Sequence, residues 1–356
     1  MPPRDDSFPL RLQVALDRGA GGEAEQPSDQ EERKRLRQKI AALSAILVVL
    51  AVLALLIVRA LSGHSPLPSL SSTLPHYVSS IYGVSQPMGV AVSPSGERIY
   101  VTESEGPRLV RVFDRSGKRV GSLAPPPVNG NHNWHLPVYV AVDPRTEQVY
   151  VSDRLREDID VYASNGKYLR SMRPSGALGN GSQPLGLTFG AEGDLYMTDV
   201  GGSRRNHRVL VIGAGGSKSL RKVGSAGMFW FPNGLAVDSH RDVYVADSND
   251  GRLAILDPSG RLVSSIARGV GEGDLNLPRG VAIDSHNRLY VVDATAQVVD
   301  VYQLSSRVAE VPRYIGSFGG EGLGNGQFQY PNGIAIEGGR IYITDRENGR
   351  VQVWEY

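Results

Sequence analysis

His132 and His135, three residues apart in "NGNHNWH", supply two of the three nitrogen or oxygen ligands that a catalytic zinc ion needs. No third ligand is evident beside them, so the pair reads as a polar loop. Asn233 and Asn332, each in a Pro-Asn-Gly triplet, could lend amide oxygens to a hard divalent cation, which wants several oxygens, usually with carboxylate charge. The matching residues of the four sibling segments are Met88, Val138, Leu185 and Arg279. Three of these cannot ligate a hard cation and Arg279 would repel it, so the asparagines read as turn residues before glycine. Six acids recur at one position: Glu103, Asp153, Asp199, Asp247, Asp293 and Asp345. Catalysis needs unlike groups in unlike environments, whereas a residue repeated in every unit is expected to accept backbone N–H bonds at strand ends. No Ser-His-Asp order, phosphate loop or paired-carboxylate motif stands out, and the chain has no cysteine to serve as nucleophile, thiolate ligand or disulfide. The expectation is no catalytic residue, no metal and no cofactor.

The segments that carry these residues repeat. "QPMGVAVSPSGERIYVTE", "LPVYVAVDPRTEQVYVSD", "QPLGLTFGAEGDLYMTD", "FPNGLAVDSHRDVYVAD", "LPRGVAIDSHNRLYVVD" and "YPNGIAIEGGRIYITD" place prolines at 87, 137, 184, 232, 278 and 331. A period near 45 residues is the mark of a propeller or solenoid. Each unit reads as an apolar strand after Pro-x-Gly, a tight turn, a "x-Y-V-x-D" strand, a loop, a third strand such as "RLAILD" and a fourth such as "RLVSSIARG". Four short strands per unit make a β-propeller blade. The sixth unit lacks its fourth strand. "YVSSIYG" at 77–83, which shares Val-Ser-Ser-Ile with 263–266, stands before the first unit and is expected to pair beside "RVQVWEY", closing the ring and covering a bare strand edge.

The Pro-x-Gly-hydrophobic-Ala-hydrophobic-Asp start, the Tyr-Val-x-Asp strand, "NGRVQVW" and "FGGEGLGNGQFQYPNG" resemble NHL repeats over about residues 76–356. Unit 2 departs, with Tyr139 in place of glycine, and arginine at the position of Arg350 recurs only as Arg208 and Arg252. The resemblance implies a six-bladed all-β propeller, a fold that hosts enzymes, receptors and scaffolds alike. It also supplies an alternative function. The Asn triplets resemble the metal-binding motif of the gluconolactonase and SMP-30 group, and the amidated-peptide lyases among NHL proteins are associated with histidine-held zinc, so a metal-assisted hydrolase or lyase is the second reading.

Before the repeats lie three other segments. Residues 1–39, rich in Pro, Gly and acids up to about 30, read as a disordered tail. Residues 40–61 open with the uncharged "IAALSAILVVLAVLALLIV", long enough to cross about 30 Å of hydrocarbon, and residues 62–75 form a Ser- and Pro-rich linker. Five basic residues in "ERKRLRQK" precede the apolar run, which predicts a single-pass membrane helix in contact with the lipid bilayer, a cytoplasmic N-terminus and an extracytoplasmic propeller. This layout resembles bacterial receptor kinases with external NHL sensors. The 39-residue tail is too short for a kinase, so signalling would need a cytoplasmic or membrane partner.

Connectors between blades and the loops after each second strand share one face, around the mouth of the central channel. On that face are expected the long connector holding His132, Trp134 and His135, the aromatic "GMFWFP" with Phe229 and Trp230, and the basic loop with Arg204 and Arg205. Asn233, Arg279 and Asn332 look into the channel, with Tyr330 and Arg346 at its rim. Trp, Tyr and Arg dominate protein contact hot spots, so these residues predict a binding or sensor scaffold for a protein, peptide or glycan. Nucleic acid is not expected: beyond residue 59 the chain has 29 Lys plus Arg against 29 Asp plus Glu, hence no basic field.

Overall fold

The computed structural model describes Ser44 and residues 74–127, 129–131, 134–173, 181–213, 220–305 and 310–356. Six four-stranded antiparallel sheets follow one another along the chain as blades. Their innermost strands are Pro87–Val92, Pro137–Val142, Pro184–Phe189, Pro232–Val237, Pro278–Ile283 and Pro331–Glu337. Proline suits the first position because an inner edge strand has no sheet partner on its channel side to receive an N–H. Between neighbouring blades sit six apolar clusters, one for each interface around the ring.

Two devices set the spacing of the inner ring. The glycine of Pro-x-Gly lies so close to the next blade that a β-carbon would stand 2.2 Å from the Asn233 carbonyl oxygen at Gly186, and 2.5 Å from that of Met88 at Gly333. A hydroxyl on the second strand then ties the two blades together. Thr102 accepts from Gly89 N at 2.8 Å and donates to the Val138 carbonyl at 2.9 Å. Ser152, Thr198 and Thr344 repeat this link to Leu185, Asn233 and Met88.

The last blade is composite. Arg340–Asp345 and Arg350–Glu355 are followed in space by His76–Tyr82, which pairs antiparallel from His76↔Glu355 to Tyr82↔Arg350. Ile81 of that strand is buried with Val351 and Val353, and Tyr77 meets the Trp354 ring edge-on at 5.9 Å. No edge of the Arg350–Glu355 strand is left bare.

The helical part of the expected fold class is corrected. No helix among the described residues is long and apolar enough to cross a membrane, and the helical content of the described propeller residues is two single turns, Arg204–Asn206 and Ser248–Asp250. Apart from Ser44, the expected span at 40–61 lies outside the described residues, as do the tail at 1–39 and the linker up to residue 73. Hydropathy gives a run the length to span hydrocarbon; it does not by itself establish a helix there.

Candidate functional site

The inner strand of each blade starts at the connector and the second strand returns to it, so the recurring acids sit at the connector face. There they hold backbone. Leu136 N donates to Asp153 at 3.0 Å, Gln183 N to Asp199 at 2.8 Å, Trp230 N to Asp247 at 2.7 Å, Leu277 N to Asp293 at 3.1 Å and Gln329 N to Asp345 at 2.7 Å. Ser85 N does the same for Glu103 at 3.2 Å. These carboxylates anchor the connectors that carry the mouth residues. His240 and His286 occupy turns on the opposite face, where their N–H groups cap Asp238 and Asp284.

The throat of the channel is closed by the residue that breaks the repeat. Tyr139 reaches from blade 2 across to blade 4, and its hydroxyl donates to Asn233 Oδ1 at 2.6 Å. Its burial pushes the phenol pKa up, against the nearby Arg279 charge and the Asn332 amide, which pull it down. Asn332 donates from Nδ2 to the Met88 carbonyl at 2.8 Å, stitching blade 6 to blade 1. Both asparagines are buried and spend their amides on protein groups, while Val138 and Leu185 pack into the cluster between blades 2 and 3. Beneath this plug the channel is a well of about 350 Å³. It is lined by the inner strands and reaches Pro94, Pro144 and Glu337 at the hairpins of the opposite face.

At the rim, arginines lie over aromatic rings. Arg279 and Arg346 both stand over Tyr330, with guanidinium carbons 5.6 and 5.7 Å from the ring centroid. Arg154 lies over Phe231 at 5.5 Å and Arg204 over Trp230 at 4.9 Å. Arg279 donates from Nη2 to the Tyr330 hydroxyl at 2.8 Å, and Arg346 from Nη2 to Gln86 Oε1 at 2.8 Å. The Nε groups of both arginines are enclosed without a partner. Three residues of this rim, each directly before a proline, have left-handed backbone: Gln86 at φ 42°, Phe231 at 79° and Tyr330 at 52°. A residue before proline normally stays extended, and such departures cost on the order of 1–3 kcal/mol each. Tyr330 is held in place by Gln297, whose Oε1 accepts from its N–H at 2.7 Å.

The remaining expected residues separate. Trp134 and Trp230 are 48% and 45% exposed, large apolar areas left at the mouth. Arg205 is exposed; Arg204 pairs with Asp250 at 3.5 Å in the open, a contact worth little to stability. Phe229 is fully buried in the cluster between blades 3 and 4, where it serves packing. His135 is buried with Nε2 3.2 Å from the Pro107 carbonyl oxygen, and His132 lies outside the described residues. Among the described residues no three of His, Asp and Glu form a group able to hold a metal ion. Sequence reasoning passed over Tyr139, Arg154, Phe231 and Gln86. Tyr139 carried a signal, being the single tyrosine where five units have glycine; the others depend on reach across the mouth.

The fold and this mouth define a six-bladed β-propeller, two of whose blades match the NHL repeat. The NHL repeat model matches residues 229–256 and 328–354, the entrances and first three strands of blades 4 and 6. Among solved structures the chain is similar to a streptogramin B lyase at 11% identity and TM-score 0.57, covering 79% of this chain and 98% of that one. It is also similar to virginiamycin B lyase from Staphylococcus aureus at 13% identity and TM-score 0.55, covering 80% and 99%. At such identities the likeness is one of fold.

Proposed function

We propose that the propeller is a binding scaffold whose channel-mouth face receives a protein or peptide. The observation that carries this reading is the rim itself. Three strained pre-proline residues hold Gln86, Phe231 and Tyr330 against Arg346, Arg154 and Arg279, beside a half-exposed Trp230. Backbone strain persists only where surrounding structure enforces it, and it gathers at ligand clamps. Exposed Trp next to Arg is the composition of contact hot spots. With Tyr139 plugging the throat, the ligand sits on the mouth rather than passing through it. Photo-cross-linking from position 134, compared with position 240 on the opposite face, tests the assignment. Partner adducts from 134 and none from 240 are expected; the reverse pattern would remove the mouth as the binding face.

A further inference from the structure

The charge state of the rim goes further than its role as a contact surface. We propose that the mouth recognises an acidic peptide segment, one of whose Asp or Glu side chains enters the throat and pairs with Arg279 while Arg346 and Arg154 flank it. This inference rests on the mouth being the binding face.

Arg279 occupies the channel position of blade 5, where its guanidinium is partly shielded from water. It has no carboxylate partner among the described residues, and the Tyr330 hydroxyl takes only one of its five N–H donors. Its Nε is enclosed and unpartnered, and so is that of Arg346. Desolvating a guanidinium without an anion is unfavourable, so the site is complete only when an anion arrives. The ring contacts favour the same outcome. A guanidinium over an aromatic face keeps its charge, is held in orientation, and leaves an edge of donors free for the two oxygens of a carboxylate. Arg154 is exposed and has Phe231 as its side-chain partner, without a carboxylate among the described residues. Arg346 is partly neutralised by Glu347 at 3.0 Å, which makes it the weaker flank.

The depth of the site and the surrounding charge decide between kinds of anion. The Tyr139–Asn233 plug stops entry just below Arg279, so a short side chain fits and an extended chain does not thread through. Single-stranded nucleic acid would want free aromatic faces for its bases and a basic field for its phosphates. Here guanidinia lie over Tyr330 and Phe231, and acids balance bases beyond residue 59. A carboxylate on a peptide satisfies the arginines without either requirement.

Fluorescence anisotropy on the full chain tests this with three labelled probes: a glutamate-rich decapeptide, its glutamine counterpart, and an oligouridylate of equal charge. The glutamate peptide should bind at least tenfold tighter than the other two, weaken as salt is raised, and lose about tenfold with Arg279→Gln. Arg154→Gln, at an exposed position, should lose a smaller factor. Equal binding of the glutamate and glutamine peptides, stronger binding of the oligouridylate, or wild-type affinity in both variants would overturn the proposal. If adducts still form from position 134 while the glutamate peptide fails, the acidic-ligand inference falls and the mouth reading stands. Adducts confined to position 240 end both.

Discussion

Blade 6 and blade 2 run the same four-strand course and differ in what faces the recurring acid. In blade 6, Arg350 donates to Asp345 at 2.7 Å and to the carbonyls of Gly324 and Gln327, with Gln352 completing the buried network. In blade 2 the two matching positions are Asp158 and Asp160, so three buried carboxylates share Arg156, which stands 3.6 Å from Asp158 and 3.8 Å from Asp160. Burial, reinforced by Asp160, raises the Asp158 pKa to about 7. Blade 5 shows the same effect without an arginine: burial, reinforced by Asp293, raises the Asp300 pKa to about 7. Blade 6 keeps the repeat and holds the ring shut; blade 2 abandons it and sends Tyr139 and Arg154 into the mouth. Faithful positions build the ring, and departures build the site.

The comparison breaks most completely by removing what finishes blade 6. A chain starting at residue 85 lacks Tyr77 and Ile81 and leaves the Arg350–Glu355 strand unpaired. Each large apolar side chain buried is worth about 1.5–3 kcal/mol, and a domain holds only about 5–15 kcal/mol in all. The truncated chain should aggregate or melt far below one starting at residue 71, as read by size-exclusion chromatography and thermal unfolding. Equal behaviour of the two would show that the N-terminal strand does not close the ring.

Blade 2 is probed by pH. A buried carboxyl with a folded pKa near 7 and an unfolded pKa near 3.9 keeps its proton longer in the folded chain. Its burial is tolerated without penalty below about pH 4, and stability falls as pH rises from there to about 7. At about 1.4 kcal/mol per pKa unit, the loss is on the order of a few kcal/mol. Asp158→Asn and Asp300→Asn should each raise the melting temperature at pH 8 and flatten its decline between pH 5 and pH 8. Blade 6 serves as the internal reference, because its Asp345 already has a cation in Arg350 at 2.7 Å.

A smaller effect sharpens the account of the plug. Tyr139→Phe keeps the ring in the throat and deletes the hydroxyl bonded to Asn233. Leaving the buried amide oxygen without that donor should cost about 1–3 kcal/mol in chemical denaturation. No measurable change would mean that the hydroxyl does not fasten blade 2 to blade 4.

The repeat, the blade count and the role of the recurring acids were legible because each rests on local chemistry that recurs around the ring: proline at an inner edge and a carboxylate beneath N–H groups in all six units, and glycine under a neighbouring backbone in five. The rim was legible in part. Arg279, Tyr330 and Arg346 stood out by type and position, but Arg154 over Phe231 joins blade 2 to blade 4, a contact no local pattern encodes. Phe229 and Trp230 are neighbours in sequence with opposite fates, one fully buried and one half exposed; composition marked both, and only packing separates them.

The split between ring-building and site-building residues is tested most directly by measuring two variants, Arg350→Ala and Arg279→Ala, for both melting temperature and affinity for the partner cross-linked at position 134. Arg350→Ala strands a buried Asp345 and should cost about 3–5 kcal/mol of stability, with the affinity of the folded fraction unchanged. Arg279→Ala should leave the melting temperature near wild type and weaken binding at least tenfold. If Arg279→Ala instead lowers the melting temperature and leaves affinity intact, the departures from the repeat serve the fold and the mouth is not the site.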